Sequence, residues 1–155
     1  PSLLIANDAI EMFLLIQDNS AEDSLRVALQ SYATADLKLY QNKKEEALQL
    51  FLTILQKHKG ESIEEGTLYK VGKIYEEKGD FNKALTYYQN ILDNHKDGIY
   101  KDEALFYSAE IYRKHLLDNE KAKALYEKVV LEHPDSLYYT ESRKQYRTLR
   151  GDSTI

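Results

Sequence analysis

The sequence predicts an all-α fold built from an array of antiparallel helical hairpins. Three observations predict it: segments that recur at a fixed offset, small residues held at fixed places in each recurrence, and breaks between apolar stretches marked by Gly or capping residues. YATADLKLY (32–40), YKVGKIYEE (69–77) and FYSAEIYRK (106–114) lie 37 residues apart each time. Such a period is one supersecondary unit of a repeat array. Tyr32, Tyr69 and Phe106 align, as do Ala35, Gly72 and Ala109, then Leu37, Ile74 and Ile111. In the second halves Ala47, Ala84 and Ala122 precede Phe51, Tyr88 and Tyr126 by four residues. There the last spacing is 38, so one residue is inserted in the turn around His115–Asn119.

The pattern has a physical cause. Small residues let the two helices of a hairpin approach closely, and large ones a turn away fill the gaps between hairpins. Each hairpin is apolar on two faces and closes them by stacking on its neighbours. The elements then follow in order. A leading helix spans 3–18, hairpins span about 22–58, 62–95 and 100–132, and a capping helix spans 136–150, all within one domain. The helix breaks within them fall near 42–44, 78–81 and 115–119. Asn42 is the sole marker of the first break, while Gly60, Gly79 and Gly98 offer left-handed stops. Asp80, Asn119 and Ser136 are candidate N-caps, and Gly151 follows the basic turn of Arg147 and Arg150.

These residues resemble the tetratricopeptide repeat (TPR) family, whose pattern runs L-G-x2-Y, then A-x3-F, then P. The middle unit carries Leu68, Val71, Gly72, Tyr75, Gly79, Ala84 and Tyr88. The third carries Leu105, Ala109, Tyr112, Ala122, Tyr126 and Pro134. The first keeps Ala35, Ala47 and Phe51, with Lys38 in place of the Tyr and Lys59 in place of the Pro. The resemblance implies a right-handed α-α superhelix, a TPR solenoid, over about residues 22–149. The connector H-P-D-S and the ending ESRKQYRTLR are similar to envelope TPR proteins of Gram-negative bacteria: the Tol–Pal-associated periplasmic protein and the outer-membrane assembly lipoproteins. That implies a periplasmic or envelope-associated scaffold, with a cytoplasmic adaptor as the other location.

Composition narrows the function classes. With 43% apolar and 30% charged residues among 155, and only 2 Pro and 6 Gly, the chain suits a folded domain without long linkers. The absence of Cys excludes disulfides, thiolate metal sites and cysteine nucleophiles. A net charge of −5 argues against a nucleic-acid binder. No apolar run approaches the ~20 residues of a membrane span. The segment 3–16 is apolar nearly all round, so the leading helix is expected to pack on upstream repeats, making the chain the C-terminal part of a longer array. It can equally pack on helix 22–42, or form a homodimer contact.

No catalytic constellation is present, and the chain is read as a non-enzyme that needs no cofactor, metal or small-molecule substrate. His58, His95 and His133 hold equivalent places after three second helices, roughly 10 Å apart from hairpin to hairpin. That is too far for one ion, and a basic group at a helix C-terminus needs no further role. DNHKDG (93–98) starts like a calcium loop but has His95 and Ala104 where ligands are required. The remaining reading is a protein or peptide binder. Carrying over the family's groove positions gives Tyr32, Asp36, Leu39 and Tyr40; then Tyr69, Lys73, Glu76 and Glu77; then Phe106, Glu110, Arg113 and Lys114. The aromatic column Tyr32, Tyr69 and Phe106 reads either as a binding surface or as inter-repeat core. The Lys and Asn that grip a C-terminal carboxylate in one TPR subclass are absent from these positions. Two alternatives stand beside this reading: a structural or self-association module, and a phosphate or nucleic-acid contact through Arg143, Arg147 and Arg150, which share one helix face.

Overall fold

A computed structural model describes residues 23–95 and 97–152. The expected leading helix at 3–18, and any homodimer contact through it, lie outside these residues. The described residues form helices and no strands: α1 (Asp23–Tyr40), α2 (Lys44–Lys57), α3 (Glu64–Glu77), α4 (Phe81–Asn94), α5 (Lys101–Ile111), α6 (Asn119–Glu132) and α7 (Tyr139–Arg150). A π-helical turn, Tyr112–Leu116, continues α5. The chain divides into two units, Pro1–Val71 and Gly72–Ile155, the boundary falling inside α3.

In the first unit, α1 packs on α2. Ala28, Ala35 and Ala47 are fully buried, and Phe51 fills the space above them, likewise fully buried. Tyr32 meets Phe51 edge-on, with centroids 5.3 Å apart. In the second unit the end of α3 runs antiparallel to α4. Gly72 lies under the Tyr88 ring, Tyr75 stacks on Tyr87, and Lys83 reaches over Tyr75. Gly72 is required there, because a Cβ would come within 2.5 Å of the buried Tyr88 ring. The third hairpin repeats the plan, with Ala109 and Ala122 under Tyr126. α7 packs on α6 through Tyr146 and Leu149.

The three hairpin turns share one device. Each places a left-handed residue before the second helix: Asn42 (φ 59), Gly79 (φ 78) and Leu117 (φ 54). In the first two the next N–H reaches back five residues, Lys43 to Lys38 and Asp80 to Tyr75, at 2.8 and 2.9 Å. This closes a Schellman motif. In the third, Asp118 reaches back six residues, to Tyr112. The inserted residue expected in the turn at His115–Asn119 is therefore absorbed mainly as the π turn of 112–116, the usual way a helix takes up one extra residue. The expected helix 100–115 is accordingly α5 followed by that turn.

Two capping expectations need correction. Asp80 caps α4 by accepting from Lys83 N–H, but α6 is capped by Asp118, which accepts from Lys121 N–H, and not by Asn119. The N-cap position of α7 is Tyr138, and Ser136 Oγ accepts from the Tyr138 N–H one step earlier. His58, His95 and His133 are each the C-cap residue of a second helix, their N–H groups bonded four residues back.

Candidate functional site

The side chains expected to face a groove fall in two groups, one per unit. In the first unit Tyr32 is only 8% exposed and packs as hairpin core, so its ring is not displayed. Contact with Phe51 accounts for this. Asp36 pairs with Lys70 at 2.9 Å, Tyr69 is half-buried, and Tyr40 is 78% exposed.

In the second unit the expected residues converge. A pocket of about 410 Å³ is lined by Glu76, Phe106, Glu110 and Arg113, together with Tyr107, Ile111, Lys114, His115 and Glu141. α3 supplies one wall, α5 and the π turn supply the floor and a second wall, and α7 supplies Glu141 at the rim. Phe106 is held rather than free. It stacks on Tyr138 at 4.5 Å and meets Tyr107 and Tyr126 edge-on. Lys73 sits 3.7 Å over the Tyr107 ring while pairing with Glu76 at 3.1 Å. Such a cation–π contact fixes both partners.

The floor is a closed ionic network. Glu110 is 9% exposed. It accepts from the Arg113 guanidinium at 3.2 Å, from the Lys114 ammonium and from the Tyr126 hydroxyl. Arg113 Nε also donates to Tyr126 Oη at 3.1 Å. Burial alone pushes the Glu110 carboxyl up, but the three donors outweigh it and hold the group below the ordinary glutamate value of 4.5. Tyr126 moves the other way, its hydroxyl pushed up first by burial and then by its bond to Glu110. A buried carboxylate with three donors is fully satisfied, which fixes the side chains of the pocket floor.

A neighbouring pair repeats this motif with the charges exchanged. Lys73 and Glu76 stand three residues apart, and Glu76 accepts from the Tyr88 hydroxyl at 2.8 Å. Shifted by 37 residues, the same positions are Glu110 and Arg113, and Tyr126 takes the part of Tyr88. Glu–Arg thus follows Lys–Glu along successive first helices.

Sequence reasoning missed Tyr107, Ile111, His115 and Glu141. The extra residue after Tyr112 was the signal for His115, whose ring stacks on Phe81 at 3.9 Å. A second cleft of about 420 Å³ lies behind α5, lined by residues that include Leu85, Gln89, Ser108, Tyr112 and Leu125. Among the described residues no cluster of His, Asp or Glu could hold a metal ion. No helix among them is long and apolar enough to cross a membrane.

Comparison with known proteins agrees with this architecture. Residues 67–98 and 103–136 match the tetratricopeptide repeat family, so the second and third hairpins are similar to tetratricopeptide repeats. A tetratricopeptide repeat protein from Parabacteroides merdae superposes with a TM-score of 0.66 over 90% of this chain, at 21% identity. This chain spans about half, 51%, of that protein's length. No curated protein matches the sequence.

Proposed function

We propose that the chain is a protein-binding scaffold that holds a polypeptide segment in the pocket of its second unit. One observation carries this reading: five side chains expected at groove positions, Glu76, Phe106, Glu110, Arg113 and Lys114, line a single pocket. Their hydrogen bonds are already made, so binding costs little side-chain ordering. Half-buried rings beside fixed charges suit a peptide, which offers both apolar side chains and backbone polar groups.

The envelope of a bacterial cell is the setting we propose. Its support is the H-P-D-S connector and the basic closing helix. Separating periplasmic from cytoplasmic fractions of cells that make the whole protein checks it, and recovery in the cytoplasm alone would overturn it.

The binding reading is tested at the rim, where substitution leaves the core intact. A partner captured on the wild-type chain is titrated against Glu141→Lys and Glu141→Ala. Each is expected to weaken binding about tenfold, the scale of one lost charged contact. Lys123→Glu, on α6 and not among the pocket's lining residues, is expected to leave affinity unchanged. Equal affinities for all of these chains would remove the pocket from the account.

A further inference from the structure

A different surface is marked by comparing α7 with the first helices of the repeats. Because of the residue inserted in the third hairpin, α5 and α7 align at an offset of 38. The alignment is anchored by Ala104 and Ser142, both fully buried. In α3 and α5 the next stripe around the helix faces the hairpin's own second helix. It holds Gly72 and Ala109, pressed against Tyr88 and Tyr126, with the buried Leu68 and Leu105 one turn earlier. In α7 the Gly72/Ala109 position is Arg147 and the Leu68/Leu105 position is Arg143. Lys144 stands where Tyr69 and Phe106 stand, and Arg150 where Tyr75 and Tyr112 stand.

The stripe that binds a second helix in each repeat is therefore cationic in α7. It is also open: Arg143, Lys144, Arg147 and Arg150 are all exposed. Asp152 engages Arg150 and lies 3.7 Å from Arg147, whereas Arg143 and Lys144 have no ion-pair partner among the described residues. Ser142, Tyr146 and Leu149 on the adjoining stripe carry the packing of α7, Tyr146 donating to Glu127 at 2.6 Å. Arg143 and Lys144 are thus left out of that packing, while Arg150 lies 5.2 Å from the centre of the Tyr146 ring.

We propose that this stripe docks an acidic α-helix of a partner protein, laid where the second helix of a fourth hairpin would lie. Arg143, Arg147 and Arg150 follow the i, i+4, i+7 spacing of one helix face, and carboxylates at i, i+3 and i+7 on an antiparallel helix meet them in register. Long side chains in place of Gly and Ala forbid the close approach seen inside the repeats. The docked helix therefore stands farther off and is held by ion pairs. Duplex nucleic acid fits less well. The strip is only about 10 Å long at 1.5 Å per residue, and the chain as a whole carries −5, which repels an extended polyanion.

The experiment uses the full chain and a labelled alanine-based helical peptide bearing Glu at i, i+3 and i+7, read by fluorescence anisotropy. Binding is expected at about 0.1 M salt and is expected to fall at least about tenfold at about 1 M, where the screening length shrinks from about 10 Å to about 3 Å. R143E/K144E/R147E is expected to abolish it, with R143A/K144A/R147A as the second variant should the reversal unfold the chain. R143K/R147K is expected to keep most of it. Failure of the Glu peptide to bind, equal binding of its Gln analogue, or tighter binding of duplex DNA would each overturn the proposal. Binding in the α5 pocket is expected to be unchanged in all these variants, so the two surfaces fail or succeed separately.

Discussion

The first hairpin and the third share a backbone plan and differ in what fills it. In the third, the ring over the small residues is Tyr126, and its hydroxyl joins Glu110 and Arg113 in a network that reaches the pocket. In the first, the equivalent ring is Phe51, and the positions of Glu110 and Arg113 are Asp36 and Leu39. Asp36 pairs with Lys70 instead. The first hairpin is closed by apolar contact, whereas the third spends one ring hydroxyl on orienting charges at a surface. The difference teaches that the same fold position closes a core or orients surface charges according to one hydroxyl and one ion pair.

The largest expected effect breaks the network at its centre. Glu110→Gln removes the buried charge and turns one of its two acceptor oxygens into a donor facing other donors, and is expected to cost about 2–3 kcal/mol in urea unfolding. Because the Glu110 carboxyl is held below 4.5 when folded, its contribution is complete above that pH and fades as pH falls through the depressed value. The gap between wild type and Glu110→Gln should thus close on acidification below about 4.5. A gap that persists undiminished at lower pH would contradict the assignment.

Next in size is the reverse change in the first hairpin. Phe51→Tyr places a hydroxyl in an apolar, fully buried site and is expected to destabilise by about 2 kcal/mol. Tyr88→Phe in the second hairpin should lose about 1 kcal/mol, one hydrogen bond to a carboxylate. If Phe51→Tyr is neutral by thermal unfolding, the first hairpin is not the dry one.

Two smaller changes sharpen the comparison of turns. Leu117 is a left-handed aliphatic residue, 77% exposed, where the second hairpin has Gly79. Leu117→Gly should therefore stabilise by about 1 kcal/mol, the relief of left-handed backbone strain less the entropy of Gly. Lys43 holds the N-cap of α2 without a side-chain bond, where the other hairpins have Asp80 and Asp118. Lys43→Asp should gain about 0.5–1 kcal/mol in calorimetry, and no gain would show that the turn at Asn42 already satisfies the helix end.

The helices and their pairing were legible because each repeat states the rule again: a small residue, then a ring four positions on, then a break. Gly72 and Ala84 could be read in the letters as close-approach residues, but the letters put the Tyr88 ring between hairpins and not over Gly72, where it lies. Which rings face out could not be read there. Tyr32, Tyr69 and Phe106 align in sequence, yet Tyr32 is core and Phe106 both packs and lines a pocket. Burial of a ring depends on its cross-helix neighbour, and periodicity does not carry that information. Glu141 and His115 were hidden for another reason: one comes from α7, outside the repeat units, and the other is positioned by the π turn.

The most direct test of the binding claim is site-resolved photocrosslinking. A photoreactive residue is placed at Tyr107, Lys114 or His115 in the pocket, or at Leu85 or Gln89 in the cleft behind α5. The account predicts crosslinks to the bound polypeptide from the first three positions and none from the last two. Crosslinks from Leu85 and Gln89 with none from the pocket would contradict it.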